Sequence, residues 1–266
     1  MRLLFSALVL TAVSSAFADD HCASRTQAII NRGGSDTQLL SAINRLPEQC
    51  AADPFTRVKA AELYAATGEL NSALGLLSAT EDFGEYAESA RILEARIFLV
   101  GGKPDIAKQI LKQTIVDHPG KPTAAMQYGE ILLTEGRSQE AFDSFIHSLQ
   151  AEPTARAYRG TAVAAYRIGD CTQAITALDQ AMYMDEAGTT RSWSAMVTGA
   201  RCFMEQGKFR AATGALKATL EADENAMNRK AVKDTLIALR AAIRQAQQSG
   251  DKSTDADQIT LQEIDL

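Results

Sequence analysis

Histidine, tryptophan, basic excess and long apolar runs are all scarce in this chain, and each scarcity removes a class of function. Three histidines and one tryptophan occur in 266 residues. His21, His118 and His147 lie far apart, and the sequence has no HExxH, GxSxG or phosphate-loop motif to give them a catalytic setting. Lys and Arg number 27 against 33 Asp and Glu, a net charge of −6, so the positive footprint of a nucleic-acid binder is missing. No CxxC and no adjacent histidine pair is present, which argues against a zinc site. After the first residues no apolar stretch approaches the roughly 20 residues of a membrane span. The paired carboxylates Asp19-Asp20 and Glu81-Asp82 sit where they solvate the chain or complement a helix dipole. Together these absences point to a non-enzymatic protein with no cofactor and no metal.

What is present begins with Met1-Arg2, an apolar run from Leu3 to Val13, and Ala16-Phe17-Ala18. A basic start, a short apolar stretch and small residues before a cleavage point read as a secretory signal peptide over residues 1–18. Asp20 and His21 precede Cys22, which is not a lipidation pattern. The expectation is export to an oxidising compartment such as the periplasm, as a soluble chain. Four cysteines then read as two disulfides, for which three pairings exist.

The strongest regularity is a glycine rhythm: Gly68, Gly102, Gly136, Gly169 and Gly207, spaced 34, 34, 33 and 38 residues apart. Such a period marks a repeat array. Five residues after each glycine comes an alanine, Ala73, Ala107, Ala141, Ala174 and Ala212. Seven before it comes another small residue, Ala61, Ala95, Gly129, Ala162 and Ala200. Large apolar residues mostly fill the position four before, Tyr64, Phe98, Leu132, Ala165 and Phe203. They fill the position nine after, Leu77, Leu111, Phe145, Leu178 and Leu216. Apolar residues recur at helical spacing on both sides of each glycine, prolines are few and alanine is abundant, so each unit is predicted to be a helix–turn–helix hairpin. The glycine supplies the turn.

This pattern resembles the tetratricopeptide repeat over roughly residues 54–226. It departs at the usual early tryptophan, replaced by Arg57, Arg91, Ala125, Tyr158 and Met196. The resemblance implies an all-α, right-handed solenoid of about five repeats with helical caps at both ends. The expected organisation is a disulfide-clamped hairpin cap over 19–53, the array over 54–226, a capping helix over 227–248 and a disordered acidic tail over 249–266, the alternative for the tail being that Ile259, Leu261, Ile264 and Leu266, apolar among the acids, dock it in an arginine-lined groove. In the front cap, Ala23–Arg32 and Thr37–Leu46 read as helices about Gly33-Gly34. The repeat register brings Cys22 near Cys50, and Cys171 near Cys202, where the latter pair staples adjacent repeats. The long interval around Asp185–Trp193 is expected to loosen the stack.

In this family the first helix of each unit lines a concave surface where peptides commonly bind. Projected onto this chain, that face selects Arg96, Glu130, Arg156, Arg159, Val163, Tyr166, Arg167, Arg201 and Met204. Five arginines among them suit carboxylate recognition, and Tyr166 offers an aromatic wall. The sharp expectation is a groove for an acidic or C-terminal peptide segment of a protein partner. The plainer one is that these arginines pair with neighbouring carboxylates. A scaffold in cell-envelope assembly or secretion is the favoured role, and a structural subunit docking through its convex face or helix ends is the alternative. Partner identity and oligomeric state are not written in the sequence.

Overall fold

The computed structural model describes residues 21–80 and 82–259, and the signal-peptide reading of residues 1–18 lies outside them. Among the described residues there are helices and turns and no strands. The chain is an all-α repeat fold in two compact units that divide between His118 and Pro119.

In the first unit, α1 runs over the described residues 21–32 and α2 over Asp36–Ile43. A 3-10 turn at Glu48–Ala52 leads to the hairpins α3 (Pro54–Ala66) with α4 (Leu70–Ser78) and α5 (Ala87–Val100) with α6 (Pro104–Asp117). The α2 helix starts one residue earlier and ends three earlier than the sequence suggested, because Ser35 and Gln38 form a capping box at its start. Cys22 and Cys50 are bridged, with Cα atoms 5.2 Å apart. Beside them the buried Asp53 caps α3, its Oδ2 accepting from the Thr56 amide at 2.8 Å and the Thr56 hydroxyl at 2.6 Å. Thr56 Oγ1 in turn lies 2.7 Å from the hydroxyl of Thr26, so α1, the turn and α3 share one buried polar network.

The second unit stacks α7 (Pro122–Thr134) with α8 (Ser138–Ala151), α9 (Ala155–Arg167) with α10 (Cys171–Met184), a short α11 (Glu186–Arg191), α12 (Trp193–Glu205) with α13 (Phe209–Ala222), and α14 (Lys230–Ser249). Residues 226–228 form a 3-10 turn, so the capping helix begins at Lys230 and not at 227. Cys171 at the start of α10 is bridged to Cys202 in the last turn of α12, with Cα atoms 5.2 Å apart.

The repeat positions explain these hairpins. All nine paired alanines and Gly129 are buried, so two helix backbones approach closely in every unit. The residues nine after each turn glycine are buried between them, with Phe145 at 0% exposure. At each turn the glycine has positive φ, between 70° and 88°. The amide of the next residue donates back to the carbonyl four before the glycine, as in Lys103 N–H to Phe98 at 2.8 Å and Asp170 N–H to Ala165 at 2.9 Å. The glycine sets the turn, and the residue after it closes the orphan carbonyl.

Two expectations need correction. The 38-residue interval does not loosen the stack, because the extra residues form α11. Asp185 accepts from the Gly188 amide at 2.9 Å to start that helix, and the fully buried Thr189 donates from its hydroxyl to the carbonyl of Ala181 at 3.1 Å. The expected disordered tail over 249–266 also fails for residues 251–259, which fold back onto the second unit. Ala256 and Ile259 are 1% and 5% exposed within its core. Apolar residues placed among acids give this segment something to bury, and it packs into the core of the second unit and not into an arginine-lined groove. Residues 260–266 lie outside the described residues.

Gly160 has no counterpart in the repeat pattern, yet a Cβ there would lie 2.4 Å from the Phe145 ring. Gly160→Ala is therefore expected to destabilise the second unit by about 1–3 kcal/mol through overpacking. Gly214→Ala, in open space on α13, should be neutral or stabilising by up to about 1 kcal/mol. Urea unfolding of the two variants measures the contrast. Replacing both Cys171 and Cys202 by alanine should cost about 3–4 kcal/mol, the chain-entropy value for a closed loop of this separation.

Candidate functional site

First helices lie side by side within each unit: α3 with α5, then α7 with α9, α9 with α12, and α12 with α14. The site residues selected from the sequence are carried on these helices, and the structure sorts them into two groups.

Four arginines are occupied by contacts to neighbouring elements. Arg156 on α9 meets Glu130 on α7 through two parallel bonds, Nε to Oε1 and Nη2 to Oε2, both 2.8 Å. Arg167 donates to the carbonyl of Leu133 in the last turn of α7, a position where helix carbonyls lack internal partners. Arg201 on α12 donates from Nε to the hydroxyl of the buried Thr235 on α14 at 2.9 Å. Arg159, with only 19% of its side chain exposed, turns to the α10–α11 junction and meets Asp185 at 3.1 Å and Thr189 at 3.3 Å. The plainer expectation of pairing with carboxylates therefore describes Arg156 with Glu130 and Arg159 with Asp185, while Arg167 and Arg201 bond a carbonyl and a hydroxyl. The partners of Arg159, Arg167 and Arg201 could not be named from the sequence, because each is set by which helix stacks on which.

The apolar members are also partly committed. Tyr166 packs with Ala165, Ala174 and Cys202 beside the second disulfide, Met204 packs on the core of the second unit, and Val163 is half-buried.

Arg96 differs. It is exposed, and its guanidinium has no hydrogen-bond or ion-pair partner among the described residues. It stands at a cleft of about 130 Å³ lined by Ala65 and Ala66 of α3, Leu70 of α4, and Leu93, Ile97 and Val100 of α5. Val100 is 75% exposed and the adjoining Leu99 42%, so apolar surface continues past the cleft. Glu62, also lining it, is bonded to Lys59 at 2.8 Å. The arrangement offers one free, planar cation above an apolar trough, suited to a segment carrying a carboxylate next to aliphatic side chains.

Arg57 holds one of the positions where the family's tryptophan is missing. Its Nε bonds the carbonyl of Ala51 at 2.6 Å, and its Nη1 bonds the carbonyl of Ala79 and the hydroxyl of Thr80, both at 2.8 Å. A polar staple replaces an aromatic wedge there. The histidines do not converge: His118 ends α6, and His147 lies within α8 with Nε2 enclosed and without a hydrogen-bond partner among the described residues. Among the described residues no three His, Cys, Asp or Glu side chains gather as metal ligands.

The geometry defines a stacked helical-hairpin repeat protein with side-chain surfaces on its first helices. Comparison with known proteins narrows the class. Residues 92–146 match the tetratricopeptide-repeat family model. DnaJ homolog subfamily C member 3 of Rattus norvegicus is 28% identical over 185 residues, 63% of this chain and 36% of its own length. The chain thus spans little more than a third of that relative. Similar solved structures include the APC/C hetero-tetramer Cut9-Hcn1, with TM-score 0.62 and 13% identity over 78% of this chain and 39% of that one. The C-terminal part of a TPR repeat-containing protein from Cytophaga hutchinsonii has TM-score 0.59 and 13% identity over 93% and 98% of the two chains. MamA has TM-score 0.51 and 16% identity over 64% and 97%. These likenesses concern the fold. The glycine and alanine register continues on both sides of the stretch that matches the tetratricopeptide-repeat model.

The Asp185 carboxylate is held below its ordinary value of 3.8, first by the Gly188 amide and then by Arg159, both of which favour the anion. Its folded pKa is depressed, so the stabilisation it lends is complete at neutral pH and fades as pH falls through 3.8 and below. Hydrogen exchange corrected for intrinsic rates should show residues 186–191 losing protection on acidification before α9 and α10 do, and Asp185→Asn should abolish that pH step. A double-mutant cycle on Arg156 and Glu130 should give a coupling of only about 0.5 kcal/mol, because both side chains are well exposed.

Proposed function

We propose that this protein is a non-enzymatic, exported scaffold that captures a protein partner on the first-helix faces of its repeats. Tetratricopeptide repeats generally mediate protein–protein interaction, and no helix among the described residues is long and apolar enough to cross a membrane. The leader-like residues 1–18 and two disulfides support export to an oxidising compartment, with work in the cell envelope as the setting.

The observation that carries the binding reading is Arg96, a guanidinium without a partner among the described residues beside an apolar cleft, while Arg156, Arg159, Arg167 and Arg201 are engaged in bonds to their neighbours. The recognised feature is an acidic side chain or terminal carboxylate adjoining aliphatic residues. Arg156, Arg159, Arg167 and Arg201 serve to hold successive elements in register, and Tyr166 and Met204 extend the apolar surface of the second unit.

Arg96→Glu should weaken partner capture from an envelope extract by at least about tenfold, the loss that follows removal of one charge-assisted hydrogen bond. Lys217→Glu on the exposed face of α13 serves as the control and should leave capture intact. Equal capture by wild type and Arg96→Glu would overturn the reading.

A further inference from the structure

The segment after α14 is bound as a peptide ligand is bound. Gly250, with φ of 64°, ends α14, and Asp251 accepts from the amide and hydroxyl of Ser253 to reverse the chain. Asp255 then reaches the start of α13, 46 residues earlier in sequence. Its carboxylate accepts from the amide of Phe209 at 2.6 Å and of Arg210 at 3.1 Å, and its own amide donates to the Gly207 carbonyl at 3.2 Å. Lys208, the residue preceding α13, gives no side-chain cap, so Asp255 supplies from a distance what Asp170 supplies to α10 from within.

The remaining contacts are those of a built recognition surface. The Gln247 side-chain amide donates to the main-chain carbonyls of Ala256 and Ile259, at 2.9 and 3.0 Å. Ala256 and Ile259 enter the buried cluster that contains Phe209, Leu239 and Ile243. Thr254 lies against Gly207, where any Cβ would come within 2.9 Å of its methyl group. Lys208 and Arg210 are exposed on either side of Phe209, giving a positive rim to a site that holds a carboxylate. Two main-chain readers, one carboxylate seat and two apolar seats specify a short extended segment more closely than a packing contact needs.

We propose that the α12–α13 loop and the end of α14 form a second peptide-binding site, and that residues 254–259 are its resident, displaceable occupant. Its ligand is a protein segment with an aspartate, a small residue next to it, and an aliphatic residue four positions after the aspartate. A partner bearing that pattern competes with the strap and takes its place. This site uses none of the nine groove residues selected from the sequence, so it stands whether or not Arg96 binds a partner.

The test is fluorescence anisotropy with a labelled peptide of residues 251–259. Wild-type chain should bind it weakly, since a strap held at high effective concentration competes. Full-length Asp255→Ala, whose own strap has lost its seat, should bind the wild-type peptide about tenfold or more tightly than wild type does. The peptide carrying Asp255→Ala should bind that variant about fivefold less well than the unaltered peptide. Hydrogen exchange should show faster opening of residues 251–259 in the variant. A chain ending at Gly250, if folded, should bind tightest. Equal binding by wild type and Asp255→Ala, or saturable binding by neither, would overturn the proposal. So would a wild-type dimer that dissociates on adding the peptide, because the strap would then be exchanged between copies and not held within one.

Discussion

Close approach of two helices at paired small residues is the contact on which the rest of this structure depends. Ala61 with Ala73 and Ala162 with Ala174 are each at most 1% exposed, and the other hairpins repeat the arrangement. Only alanine or glycine lets the backbones come together so that Leu111, Phe145 or Leu216 fills the remaining space at near-zero exposure. The turn glycine follows from that approach, since a tight reversal requires positive φ. A hairpin so built still shows an apolar face, and stacking of neighbours buries it. Phe145 shows how little slack remains, with Gly129 and Gly160 both meeting its ring where a Cβ would press on it.

Hairpins and their register were legible in the sequence because they rest on local spacing. The alanines, the buried leucines and the glycine turns all fall within one period, and so do the residues expected to pack between them. The arginine partners were harder. Arg167 bonds a backbone carbonyl 34 residues away and Arg201 a threonine hydroxyl 34 residues away, and neither acceptor advertises itself in composition. Thr189 and Asp185 looked like part of a loose interval, while their capping pattern, an Asp three residues before Gly188, was the local signal of α11. The strap was obscured by its acids. Asp255 serves as a helix cap, and no local rule connects it with Phe209.

This division bears on function. Most cations of the first-helix faces are committed to holding the repeats in register, so their number overstates the charge free for a ligand. Arg96 is set apart by the lack of a partner among the described residues, and by what lies beside it, an apolar cleft. A scaffold of this kind acts through preformed surface, which lowers the ordering cost of association. Its two disulfides suit that role, since each ties a repeat edge that would otherwise open locally.

The central claim, that partners dock on the first-helix face, is tested most directly by site-specific photo-crosslinking in living cells. A photoreactive residue at Val100, beside the cleft, is compared with one at Tyr183, which is 89% exposed on a second helix. The account predicts a discrete crosslinked product from position 100 and none from position 183. A product from position 183 alone would contradict it and place the docking surface on the opposite helices.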